Sequence, residues 1–192
     1  MLLNLTNALK SALKVPQRTF FNGLSFKKTY NGHKVIGYTQ RQLYDVVSNI
    51  DEYKNFIPYC THSIVVKTQN INNRNKKLTA ILGVGFDGYD ETYASEVICE
   101  RPGFVRAEAA PNESLFKQLS TVWELTPHHD SPSTHCNLNF HLEFEFSSFI
   151  YSQLANVFFD NVSTLMVDAF ERRCYTLYGP PAPPILTIKK TD

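Results

Sequence analysis

The chain has no run of eighteen apolar residues, so it offers no helix long enough to cross a bilayer, and any membrane contact is expected to be peripheral. Paired cysteines are also missing. Cys60, Cys99, Cys136 and Cys174 stand 37 to 39 residues apart with no C-x-x-C among them, which suits isolated thiols in a reducing compartment better than a disulfide framework or a zinc site. No structural metal is expected. There is no G-x-S-x-G, no H-E-x-x-H and no P-loop. Gly83-x-Gly85-x-x-Gly88 has the glycine spacing of a dinucleotide fingerprint, but it lies within and after a strand with no helix following, so it reads as bulge and turn.

Carboxylates are absent from residues 1–44, which carry seven Lys or Arg, while residues 45–192 carry twelve against eighteen acids. The net charge of +1 therefore hides a basic head on an acidic body. A body without a Lys/Arg cluster gives little footprint for phosphate backbones, so nucleic acid is not expected as a partner. In the head, Leu2, Leu5, Leu9 and Leu13 share one helical face, with Lys10 and Lys14 off it. This is the composition of a mitochondrial transit peptide, placed at residues 1–28, and the unbroken apolar core of a secretory signal is missing.

Aromatic residues are plentiful, with fourteen Phe and ten Tyr in 192 residues. A strand is expected around Lys34 to Tyr38. Thr39 with Gln42 forms a capping box for a short helix, and a second helical turn follows near Asp51 to Phe56. The loop Phe56-Ile57-Pro58-Tyr59 is conspicuously apolar. From Thr61 the period becomes two: Ile64 and Val66 alternate with polar partners, and Leu78, Ala80, Leu82, Val84 and Phe86 share a face. Further strands are expected at Glu91 to Cys99, Phe104 to Ala110 and Leu119 to Leu125, joined by short turns and hence antiparallel. From Thr134 to Phe146, Cys136, Leu138, Phe140, Leu142, Phe144 and Phe146 point one way and polar residues the other. Ser147 and Ser148 offer an N-cap to a long helix, Phe149 to Tyr175, ended by Gly179-Pro180-Pro181 and carrying Leu154, Phe158, Val162, Leu165 and Met166. Residues 181–192 are expected to be a disordered tail. One helix must cover a sheet wider than itself, so a curled sheet leaves an apolar pocket. The same pattern also serves a solid core.

The segments Arg41 to Cys60, Leu82 to Val97, Leu115 to Leu125, Phe144 to Ser148 and Ser152 to Arg173 resemble the START-like, helix-grip superfamily. Within it they are similar to the mitochondrial coenzyme Q-binding proteins, related to the bacterial polyketide cyclase-like family. The resemblance implies an α+β fold over residues 29–180: a curved antiparallel sheet of about six to seven strands around one long C-terminal helix, with two short helices after the first strand. It also implies coenzyme Q as bound ligand in an apolar cavity, with no cofactor, and a carrier or chaperone role serving respiration and quinone biosynthesis. The implied location is peripheral, on the matrix side of the mitochondrial inner membrane, in contact with quinone-biosynthesis or respiratory complexes. The candidate cavity residues are Phe56, Ile57, Pro58, Leu82, Val84, Phe86, Trp123, Leu138, Phe140, Leu142, Phe144, Leu154, Phe158, Val162, Leu165 and Met166.

No catalytic residue is expected. A cyclase or aromatase would need a titratable group facing the cavity, whereas His135, His141, Glu143 and Glu145 fall on the wet side of their strand and His128-His129 in a turn. Arg172 and Arg173 read as caps of the last helix, and Trp123 fits a core position or a contact with the quinone ring. A ribosome-binding module, suggested by bacterial relatives, is the weakest alternative, because the body is acidic.

Overall fold

The computed structural model describes residues 27–86, 89–110, 115–147 and 165–185. Seven strands form one antiparallel sheet: β1 (Lys28–Ile36), β2 (Cys60–Asn70), β3 (Asn75–Phe86), β4 (Tyr89–Glu100), β5 (Phe104–Ala109), β6 (Phe116–Pro127) and β7 (Cys136–Phe146). Their order in space is β1-β7-β6-β5-β4-β3-β2. Only β1 departs from a meander, because α1 (Gln40–Val47) and a 3-10 helix (Ile50–Asn55) carry the chain from one edge of the sheet to the other. A last helix, α2, covers 165–178. This is the α+β helix-grip arrangement, a curved sheet with a C-terminal helix.

The capping box forms: the Thr39 side chain accepts from the Gln42 backbone N–H, and Gln42 Oε1 accepts from the Thr39 N–H at 2.9 Å. Leu43, Tyr44, Val46 and Val47 then face inward from α1. Along β7, Cys136, Leu138, Phe140, Leu142 and Phe144 are buried and Asn137, Asn139, His141, Glu143 and Glu145 stand on the other face, as the alternation requires. The opening strand begins earlier than the apolar pattern suggested, at Lys28, because pairing with β7 continues out to Phe144. Gly83 lies opposite an irregularity of β2 between Cys60 and His62. A Cβ there would sit 2.5 Å from Thr61 Oγ1, so the glycine spacing serves a bulge, with the Gly88 turn outside the described residues.

Other expectations fail on tertiary contacts. On β2 the inward residue is Ser63, fully buried, while Ile64 and Val66 are 43% and 57% exposed. The reason is local: Ser63 Oγ donates to Asp51 O and accepts from Lys54 N, tying the edge strand to the 3-10 helix. His135 is buried rather than solvated. Its Nε2 lies 3.0 Å from Pro183 O, and Ala182 N donates to Gly37 O at 2.8 Å, so residues 181–185, assigned above to a disordered tail, are laid against the body. Arg172 and Arg173 do not end their helix, which continues through Tyr178 to Gly179 at φ 83°. Arg173 instead pairs with Glu52 at 2.8 Å and lies over the Phe56 ring. Ser148 and the first part of the expected long helix, with Leu154, Phe158 and Val162, lie outside the described residues, as do Gly88 and residues 1–26.

Candidate functional site

An apolar cavity of about 180 Å³ lies against the inner face of the sheet. Its room comes from side-chain size at the centre of the sheet. The inward residues of β5 are Val105, Ala107 and Ala109, and their neighbours include Ser95 on β4 and Thr121 on β6. Large residues close the space at both ends. At one end Trp123 packs against Phe140 and Phe170 at centroid distances of 4.4 and 4.6 Å. At the other, Tyr93 meets Phe116 at 5.0 Å, and Phe116 stacks on Phe146. The buried residues accordingly fall into two clusters, with the cavity lined from both.

Eight of the residues proposed from sequence line this cavity: Ile57, Pro58, Leu82, Val84, Trp123, Leu142, Phe144 and Met166. Four described ones do not. Phe56 is packed edge-on between Tyr53 and Phe170, so its ring fills the core beneath α2 and does not line the cavity. Leu138 and Phe140 lie buried at the filled end of β7, and Leu165, half-buried on α2, is not part of the wall. The side chain of Phe86 and the residues Leu154, Phe158 and Val162 are outside the described set. Sequence reasoning missed the far walls, Tyr93, Ser95 and Val97 on β4 and Val105 and Ala107 on β5. Their alternation was there to read, but inward faces were drawn only for β3 and β7.

The rim is formed where Ile57, Pro58 and Tyr59 turn into β2. Tyr59 adopts φ 65°, unusual for a bulky residue, and is 41% exposed. Hydrogen bonds hold the turn: Cys60 N donates to Ile57 O and Gly85 N to Tyr59 O.

Among the described lining residues there is no carboxylate, imidazole or amine; the titratable groups are Tyr53, Tyr59, Tyr93 and Cys60. Burial pushes the Tyr53 phenol well above its ordinary range, and that hydroxyl already donates to Val47 O. Burial likewise raises the Cys60 thiol, with partial opposition from the His62 backbone and the nearby Lys54 charge. Neither is a base or a thiolate at neutral pH. The described residues gather no group of three or more His, Cys, Asp or Glu that could hold a metal. What the arrangement can do is take an apolar molecule out of water.

The sequence profile of the family described as polyketide cyclase / dehydrase and lipid transport matches residues 36–171. The chain belongs to this family. It is 35% identical to the mitochondrial coenzyme Q-binding protein homolog B of Xenopus laevis over 94% of this chain and 73% of that one. With the mitochondrial coenzyme Q-binding protein of Saccharomyces cerevisiae the identity is 33%, over 88% of this chain and 84% of the yeast protein. A ribosome association toxin of Rickettsia prowazekii is more distant, 28% identical over 78% and 95% of the two chains. In three dimensions the fold matches a Streptomyces aromatase/cyclase with a TM-score of 0.63 at 9% identity, covering 77% of this chain and 93% of the other. It also matches a STAR-related lipid transfer protein of Xanthomonas axonopodis, with a TM-score of 0.60 at 14% identity over 78% and 87%. These two likenesses concern the fold.

Proposed function

We propose that this protein binds coenzyme Q in the cavity and acts as a carrier or chaperone of the quinone, not as an enzyme acting on it. The observation that carries the reading is the cavity's chemistry: walls of Val, Leu, Phe and Trp, with no described group poised to move a proton. The identity with proteins named for coenzyme Q binding supplies the ligand. A cyclase on the same fold would need a base on its substrate, and the described lining offers none.

Location follows from the same relatives, which are named mitochondrial, together with the acid-free basic head. On this reading residues 1–28 direct import, residues 29–180 form the binding domain, and the protein works peripherally at the matrix face of the inner membrane, near quinone-making or respiratory complexes. No helix among the described residues is long and apolar enough to cross a membrane. Exchange would use the rim at Ile57, Pro58 and Tyr59, since an isoprenoid chain is too costly to pass through water at about 0.8 kcal/mol per buried CH₂.

The test is extraction of the purified protein in organic solvent and mass spectrometry of what co-purifies, for the parent and for Ala107→Phe, which places a ring in the cavity floor. A near-stoichiometric polyprenyl quinone in the parent, reduced at least tenfold in the folded variant, is the expected result. Another lipid class, or quinone held equally by both, defeats the reading.

A further inference from the structure

Besides three tyrosines and Cys60, the described cavity lining carries two aliphatic hydroxyls, those of Thr121 and Ser95, at the centre of its floor. Thr121 on β6 points inward between Leu119 and Trp123, and its hydroxyl makes no hydrogen bond among the described residues. One strand separates it from Ser95 on β4. The register sets Thr121 opposite Ala107 and Ser95 opposite Ala109, so the two hydroxyl-bearing positions flank β5 diagonally, two strand spacings across and two residues along, roughly 12 Å apart at the backbone. Between them the floor carries only methyl groups.

A strand position on an apolar wall accepts Val readily, and the half-buried Thr121 hydroxyl, without a partner among the described residues, is free to meet a polar group of a bound molecule. Ser95 differs from Thr121 in one respect: its proton is directed to Glu108 O at 3.1 Å, so what it turns to the cavity is lone pairs. One side of the floor can therefore donate or accept, and the other accepts.

We infer that Thr121 and Ser95 form the seat of the ligand's oxygenated ring, with the ring lying over Ala107 and Ala109 and the tail leading toward Ile57, Pro58 and Tyr59. The inference rests on the proposed binding of coenzyme Q and adds which residues recognise its head. A ring with oxygens on opposite edges reaches both hydroxyls. Thr121 donates to a ring carbonyl, while Ser95 receives the O–H that the ring carries only when reduced.

Trp123, the chain's single tryptophan, lines the same cavity and reports occupancy through quenching by a short-tailed coenzyme Q. Farnesene, an isoprenoid without oxygen, serves as a competitor that tests the tail alone. Thr121→Val is expected to weaken the quinone three- to tenfold, the loss of about one hydrogen bond, while leaving competition by farnesene unchanged. Thr121→Ser should bind as the parent does. Ser95→Ala should weaken the reduced form and spare the oxidised one. Equal quinone affinity in Thr121→Val and the parent, or equal losses for quinone and farnesene, overturns the ring seat while the coenzyme Q reading stands. If the parent binds farnesene but no quinone, that reading falls and the seat falls with it.

Discussion

The two ends of this sheet are built from the same strands and pack differently. Where α1 and α2 close over β6 and β7, Trp123, Phe140 and Phe170 fill the space, with Cys99, Cys136 and Cys174 among the fully buried groups. A few residues along the same strands, Ala107, Ala109, Ser95 and Thr121 are too small to meet what faces them, and a cavity results. The difference shows how a domain can be stable and hollow at once: one end supplies cohesion and the other gives up packing for ligand space.

Truncation should separate the ends most clearly. Phe170→Ala removes a ring in edge-on or tilted contact with Tyr53, Phe56 and Trp123, and should cost about 3–5 kcal/mol in denaturant unfolding. Val84→Ala, on the cavity wall, should cost about 1 kcal/mol, since it enlarges a space that already exists. Similar losses at both sites would mean that the cavity end is as tightly packed as the other.

Alkaline pH sharpens the contrast. Burial raises the Cys99 thiol to about 11 and Cys136 and Cys174 to about 12, from an ordinary 9.0. The folded-state values lie above the unfolded ones, so this stability is fully present below pH 9 and is lost as pH rises from there toward 11 to 12. The slope should approach about 1.4 kcal/mol per pH unit for each thiol, and Cys174→Ala should make it shallower. A maleimide at neutral pH should modify Cys60, on the cavity wall, well before the other three, and added coenzyme Q should slow that reaction.

The smallest effect concerns the tie between the 3-10 helix and α2. Arg173→Leu breaks the pair with Glu52 and removes the cation from above Phe56. Because Glu52 is partly exposed, the loss should be about 0.5–1 kcal/mol in unfolding experiments and should shrink at high salt. A larger, salt-independent loss would show that the stem of Arg173 matters for packing more than its charge.

The filled end was largely legible in the residues. Thr39 and Gln42 announce α1 because a capping box is a local device, and β7 declares its dry face over eleven residues. The cavity end was legible only in part. Ile57, Leu82, Val84 and Leu142 could be proposed as apolar residues on candidate walls, but so could Phe56, Leu138 and Phe140, which proved to be packed. Nothing in an alternating pattern distinguishes a side chain that meets a partner from one that faces a void.

Taken alone, the sequence determined the order of elements, the antiparallel pairing, the capping of α1 and the inward face of β7, all consequences of short-range periodicity and turn chemistry. Tertiary structure decided which side of β2 faces inward, because Ser63 is claimed by Asp51 and Lys54. It also decided that His135 is buried, because the Pro183 carbonyl comes to meet it from 48 residues away. The cavity belongs to the same class. It exists because small residues on β4, β5 and β6 fall opposite one another, and that juxtaposition depends on strand register, which no single segment encodes.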